Sequence, residues 1–264
     1  MSCSDIVEPP QSSDLITIFQ KGTLEEKKEN LKTLVKLINS DENYPRLIMP
    51  VLTNLMQLQD HDIKKILFLY WEIIEKTNYD GTIKEELILA CNALRKDLLS
   101  PNEYIRGRTL RLISKIHLKS ILENLMEAIG QNLSHRHFYV RRNAIMCIYN
   151  IFLNTGMELV EDFIDEIEKL CSTESDLSTK RNAFILLFHL SQEKALNYLK
   201  MLMAASEDDP IYEMGDIFQL AILEMLRRLC IVEPAQKPRL LNAIFMLSSS
   251  KSSSVLFECA NTIV

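Results

Sequence analysis

The sequence predicts an all-α fold, a right-handed solenoid of stacked helical hairpins. Three observations predict it. One helical phrase recurs along the chain, Gly and Pro are scarce at 6 and 8 of 264 residues, and apolar residues follow helical spacing. The phrase is a polar or Pro turn, an amphipathic helix opening on a β-branched residue, then paired basic or polar residues. It is clear at 60–75 (DHDIKKILFLYWEIIE), 101–117 (PNEYIRGRTLRLISKIH) and 135–152 (HRHFYVRRNAIMCIYNIF). Weaker copies stand at 176–190, 215–229 and 252–264. Aligning Ile63, Ile105, Val140, Thr179, Ile217 and Val255 gives steps of 42, 35, 39, 38 and 38 residues. A period of about 40 marks HEAT/armadillo-like hairpins, which act through an extended surface.

Taken in order, residues 1–11 (MSCSDIVEPPQ) are expected as a disordered leader and 12–264 as one helical-repeat trunk. Thr23-Leu24-Glu25-Glu26 is a capping box, and the helix it opens lines up Leu24, Leu31, Leu34, Val35 and Ile38 on one face. First helices of the hairpins are expected at 45–57, 83–98, 120–132, 159–171, 193–204 and 234–248. Second helices are expected at 60–77, 102–117, 137–153, 177–190, 215–229 and from 252 onward. Asp60, Asn102 and Ser178 suit N-caps, and Pro101 suits a position just outside a helix start. The second helix of the third hairpin carries Val140, Ala144, Ile145, Ile148, Tyr149 and Phe152 over a wide arc, so it needs neighbours on both sides. Burial of each large side chain contributes roughly 1.5–3 kcal/mol, which stacking supplies to helices too short to stand alone. The apolar helix at 252–264 has no polar capping repeat, so a longer solenoid is expected.

Composition narrows the function. Hydrophobic residues make up 47% and charged residues 25%, and the net charge is −6, which argues against a nucleic-acid partner. Eight acids against Lys169 alone fill 158–176, while basic residues modestly outnumber acids from Lys64 to Arg142. The six cysteines include no Cys-x-x-Cys pair and sit mostly in apolar helical patterns, as buried reduced thiols do. No signal-peptide pattern or membrane-length apolar run is present, and Ser2 is not the glycine that N-myristoylation needs. Any membrane contact is therefore expected to come through a partner.

Catalytic and metal constellations are not apparent. His135-x-His137 lacks further ligands at suitable spacing, and no phosphate loop, nucleophile elbow or Cys/His set occurs. The expectation is a non-enzyme that uses no cofactor and no metal.

Two surface features remain. Lys64-Lys65, Arg106 with Arg108, Arg141-Arg142 and Lys180-Arg181 follow the first β-branched residue of successive repeats. Stacking would align them as a basic ladder, either capping the nearby acids Asp62, Glu103 and Glu174 or meeting a partner. Asn143 and Asn182 form a second short series, but Trp71 is the chain's one Trp, unlike the repeated Trp of peptide-binding armadillo transport receptors. On the helix at 83–98, Ile83, Leu87, Ala90, Cys91, Leu94 and Leu98 make the core face. Ile88 and Leu89 fall off it, with Ile88 between Lys84 and Arg95, as a partner contact would.

The segments LQDHDIKKILFLYWEIIEKT, LACNALRKDLLSPNEYIRGRTLRLISKI, LSHRHFYVRRNAIMCIYNIF and STKRNAFILLFHLSQEKALNYL resemble the N-terminal trunk of the coatomer beta-subunit family. The looser pattern DIKK…LYW, RKD…PNEYIRG, Arg-Arg-Asn-Ala is shared with the wider adaptin trunks. The resemblance runs from about residue 20 onward, is most specific in 59–152 and weakens around 200–240. It implies a scaffold of the COPI vesicle coat that joins other coatomer subunits. Such a coat is recruited by a GTP-bound Arf-family GTPase to the cytosolic face of Golgi membranes and COPI vesicles. It further implies that the 83–98 helix meets the GTPase switch regions, with Ile88 and Cys91 as contacting side chains and Arg95 beside them. Periodicity puts Cys91 on the core side, so Ile88 and Arg95 are the stronger expectations. Two alternatives share the architecture: the beta-chain trunk of a clathrin adaptor, and a generic repeat scaffold such as a transport receptor or phosphatase scaffold.

Overall fold

A computed structural model describes residues 10–78, 80, 82, 84–204, 214–232 and 237–263. They form helices joined by turns, and no β-strand occurs among them. The chain packs as two compact units, residues 1–132 and 133–264. Each is a stack of helical pairs, as the periodicity predicts.

The first unit holds α1 (Ser12–Lys21), α2 (Leu24–Ser40), α3 (Ile48–Asn54), α4 (His61–Ile73), α5 (Glu85–Leu98), α6 (Glu103–Ile113), α7 (Lys119–Glu123) and α8 (Met126–Gly130). Helix α1 begins where the leader was expected to end and buries Leu15 and Phe19. Of that leader, residues 1–9 lie outside the described residues; the Tyr44 hydroxyl donates to the Pro10 carbonyl at 2.9 Å. Gly22 lies between α1 and α2, where a Cβ would stand 2.6 Å from the Ile18 carbonyl oxygen, so the position suits glycine. The capping box forms as expected: Glu26 N donates to the Thr23 hydroxyl, and Thr23 N donates to the Glu26 carboxylate at 2.7 Å.

The second unit holds α9 (Phe138–Thr155), a 3-10 turn at Glu161–Phe163, α10 (Ile164–Thr173), α11 (Leu177–Leu190), α12 (Gln192–Ala204), α13 (Asp216–Val232), α14 (Lys237–Leu247) and α15 (Ser253–Ile263). Cys91, Cys147, Cys171 and Cys259 are buried free thiols and Cys230 is half-buried; burial pushes Cys171 up to about 12. Cys3 lies outside the described residues.

One register governs the second helix of each pair. Asp60, Asn102, His137, Asp176, Gly215 and Ser252 stand at the helix starts, and each backbone carbonyl accepts from the N–H four residues on. Those donors are Lys64, Arg106, Arg141, Lys180, Gln219 and Leu256. The residue three beyond the start turns inward in every case: Ile63, Ile105, Val140, Thr179, Phe218 and Val255 are all buried. The fifth repeat therefore departs from the sequence alignment. Ile217 is 65% exposed while Phe218 is 2% exposed. The β-branched residue that marks the core elsewhere sits one place early here, because the helix counts from Gly215, whose φ of 74° suits glycine.

Other expectations are corrected in detail. Asp176, not Ser178, caps α11; its carboxylate accepts from Thr179 N at 2.8 Å and from the Thr179 hydroxyl at 2.6 Å. The helix expected at 120–132 is split into α7 and α8, and the Arg95 guanidinium donates to the Asn124 carbonyl at the break. The first helix of the next pair starts as a 3-10 turn rather than an α-helix. Ile83, expected on the core face of α5, lies outside the described residues.

Candidate partner-binding surface

Helix α5 has two faces with different tasks. Leu87, Ala90, Leu94 and Leu98 are buried against the first unit's core. The opposite face exposes Ile88 by 61% and Leu89 by 54%. Helix α3 packs beside α5 and adds Met49, also exposed, so Met49, Ile88 and Leu89 border an open hollow with Lys84, Glu85 and Glu86. Met49 was not legible as a site residue, because only the packing of α3 on α5 brings it there.

The charges around this apolar group have a local cause as well. Glu85 and Glu86 occupy the first turn of α5 and Arg95 and Lys96 the last, the polarity that offsets the helix dipole. Lys84 precedes the helix, with its backbone N–H donating to the Lys76 carbonyl. Arg95 is exposed, although its guanidinium already ties α5 to the α7–α8 turn. Cys91 turns to the core side, 9% exposed, with its thiol 3.6 Å from the Leu87 carbonyl and its pKa raised by burial. A partner meeting Ile88 would find little of Cys91, so the contact that the resemblance implied for it is corrected by its burial.

The basic ladder divides into inward and outward members. Lys64 is 1% exposed and its ammonium donates to both carboxylate oxygens of Asp97, at 2.6 and 2.8 Å, and to the Met56 carbonyl at 2.7 Å. Arg106 donates to the Ser100 and Leu99 carbonyls and, at 3.1 Å, to the Asn132 side chain. Arg141 grips Glu174 through two nitrogens, at 2.5 and 2.6 Å, and donates to the His135 and Arg136 carbonyls. At the same register position Gln219 accepts from the Ser250 hydroxyl at 2.9 Å. These side chains reach from one helical pair to the next and bolt the stack together. Of the two readings of the ladder, the structural one describes Lys64, Arg106 and Arg141, whose charged groups are engaged within the chain, Lys64 buried and the other two half-buried.

Of the remaining members, Lys65 and Arg108 are exposed and Arg142, Lys180 and Arg181 are half-buried. Lys65 is exposed, 3.6 Å from Asp62, and Arg108 lies over the Phe68 ring at 5.9 Å. Arg142 is half-buried over Phe138 at 5.8 Å. Lys180 is half-buried, and Arg181 donates to the Asn182 side chain. The His135-x-His137 pair is explained by capping. His135 Nδ1 accepts from His137 N at 3.1 Å, and His137 Nδ1 accepts from Tyr139 N at 3.2 Å to start α9.

The adaptin N-terminal region family model matches residues 8–264. The chain belongs to that family. It is 43% identical over 252 residues to the coatomer subunit beta of Drosophila melanogaster, covering 93% of this chain and 25% of the relative. The Toxoplasma gondii coatomer subunit beta is 43% identical (96% and 23% covered), and that of Rattus norvegicus 42% (97% and 26%). The chain thus spans about a quarter of the length of these relatives. Among solved structures, the crystal structure of an engineered protein matches with a TM-score of 0.53 at 14% identity, covering 95% of this chain and 66% of the other. That likeness concerns the fold. The adaptin-type reading of the sequence motifs is thereby established, and the bolts are how this member of the family holds successive hairpins in register.

Proposed function

We propose that this chain is a non-enzymatic trunk segment of a COPI-type coat subunit, with 12–264 acting as one adaptin-type trunk. It assembles with other coatomer subunits and works in Golgi–ER and intra-Golgi vesicle transport. Its relatives' name, coatomer subunit beta, and the family match support this reading. Association with the cytosolic face of Golgi membranes is indirect, through a GTP-bound Arf-family GTPase that docks on the exposed face of α5. Among the described residues no helix is long and apolar enough to cross a membrane.

The observation that carries the docking site is Ile88, a large apolar side chain 61% exposed beside Leu89 and Met49. GTPase switch loops are ordered by the γ-phosphate and Mg²⁺ and released on hydrolysis, so a fixed apolar face can select the GTP form. The experiment is a pulldown with GTP- and GDP-locked Arf-family protein. The wild-type chain is retained on the GTP form alone, and Ile88→Asp loses that retention with an unchanged melting temperature. Equal retention of the variant would remove the site. Binding instead to a clathrin-adaptor partner, Ran or a phosphatase would favour the other repeat-scaffold readings.

A further inference from the structure

A second recognition feature lies in the second unit, far along the sequence from Ile88. Helices α9, α11 and α13 leave an open cleft of about 190 Å³ between them. It is lined by Tyr149, Phe184, Phe188, Ala221 and Met225, the ring of Phe184 being buried. An apolar cavity of about 150 Å³ is enough to hold a benzene ring, so this one has the size of a single aromatic side chain.

The cleft is apolar within and polar at one side. The His189 ring lies 5.2 Å from that of Tyr149 and 5.6 Å from that of Phe188, with Nε2 3.4 Å from the Tyr149 hydroxyl. Burial, with Arg228 nearby, lowers the His189 pKa. Glu224 is held by both Arg227 and Arg228, and Arg227 also reaches Glu258. Within the lining, the carboxylate of Glu224 is thus already shared between two guanidinium groups. Arg228 gives Glu224 one nitrogen, Nε at 2.8 Å, and its side chain remains 55% exposed. The group left to meet an incoming charge is a guanidinium, and it is complementary to a carboxylate.

We propose that this cleft binds a short acidic peptide, taking one aromatic side chain between Tyr149, Phe188 and Met225 and pairing an adjacent carboxylate with Arg228. An aromatic anchor in a pocket with a charged contact at its edge is how small interfaces concentrate their binding energy. The cleft includes no residue of α5, so the Arf reading can fail without touching it.

The test uses the whole chain and two blocked peptides, each with one central Trp, flanked in one by Asp and in the other by Lys. Binding is followed by the Met225 methyl resonance, with indole as a third ligand. The Asp-flanked peptide is expected to shift that methyl and to bind at least about tenfold more tightly than the Lys-flanked one, as a charge-assisted contact provides. Arg228→Glu reverses the preference without altering the melting temperature by more than a few degrees, and Ala221→Phe fills the cleft and removes binding. Three results overturn the proposal: no Met225 shift at millimolar peptide, equal affinity for the two peptides, or binding of indole with neither peptide. Arg228→Glu, at an exposed position, keeps the test decisive if Ala221→Phe does not fold.

Discussion

Lys64 and Asp97 form an ion pair with both side chains buried, 33 residues apart and on different helical pairs. The ammonium of α4 is surrounded by two carboxylate oxygens of α5 and the Met56 carbonyl, so its three donors are used. Arg141 and Glu174 repeat the relationship in the second unit, also 33 residues apart. Such pairs fix how one hairpin sits on the next, since a buried charge tolerates no other placement.

Removing one end of the first pair should be costly. Lys64→Ala leaves Asp97 buried and unpaired and is expected to destabilise the fold by about 3–5 kcal/mol. Replacing both, as Lys64→Met with Asp97→Leu, removes the penalty and should recover most of the loss. Urea melts of the two variants check this; a Lys64→Ala cost no larger than that of the double variant would refute the bolt.

The second pair should give stability that depends on pH. Burial pushes Glu174 up, but Arg141 and the backbone N–H groups of Asp176 and Ser175 outweigh it and hold its carboxyl below the ordinary 4.5. A carboxyl depressed in the folded state binds its proton more weakly there than in the unfolded chain. Its contribution is therefore complete above 4.5 and is lost as pH falls through the folded value. Arg141→Gln is expected to cost about 3 kcal/mol at pH 7 and to flatten that acid slope. Melts between pH 7 and pH 3.5 measure both, and an unchanged slope would contradict the assignment.

The shifted register of the fifth repeat is testable by paired substitutions. Phe218→Ala should cost about 3–5 kcal/mol, because it empties a fully packed position next to the Phe184 ring at 5.3 Å. Ile217→Ala, at an exposed position, should stay within about 0.5 kcal/mol. The sequence alignment that places Ile217 in the core predicts the reverse order.

Much of the fold was legible because helical repeats write their register locally. Thr23, Asp60 and Asn102 announce helix starts by the oxygen they offer to backbone donors, and the inward Ile63, Ile105 and Val140 follow at constant spacing. The start at Gly215 offers no side chain, so the β-branched Ile217 misled the count by one residue. The same holds for the ladder. Lys64 and Lys65 are alike in sequence, but a step of about 100° around the helix sends one into the core and leaves the other in solvent.

The sequence by itself determined the all-α repeat, its period, the capping residues Thr23, Asp60 and Asn102, the inward turn of Cys91 and the outward turn of Ile88. These depend on spacing along a single helix, which the chain carries in its own order. Only the tertiary structure decided which basic residues are bolts, that Met49 joins Ile88 and Leu89, and that Tyr149, Phe188 and Met225 enclose a cleft. Those facts depend on contacts between residues tens of positions apart. The packing of one helix against another selects them, and local sequence does not record it.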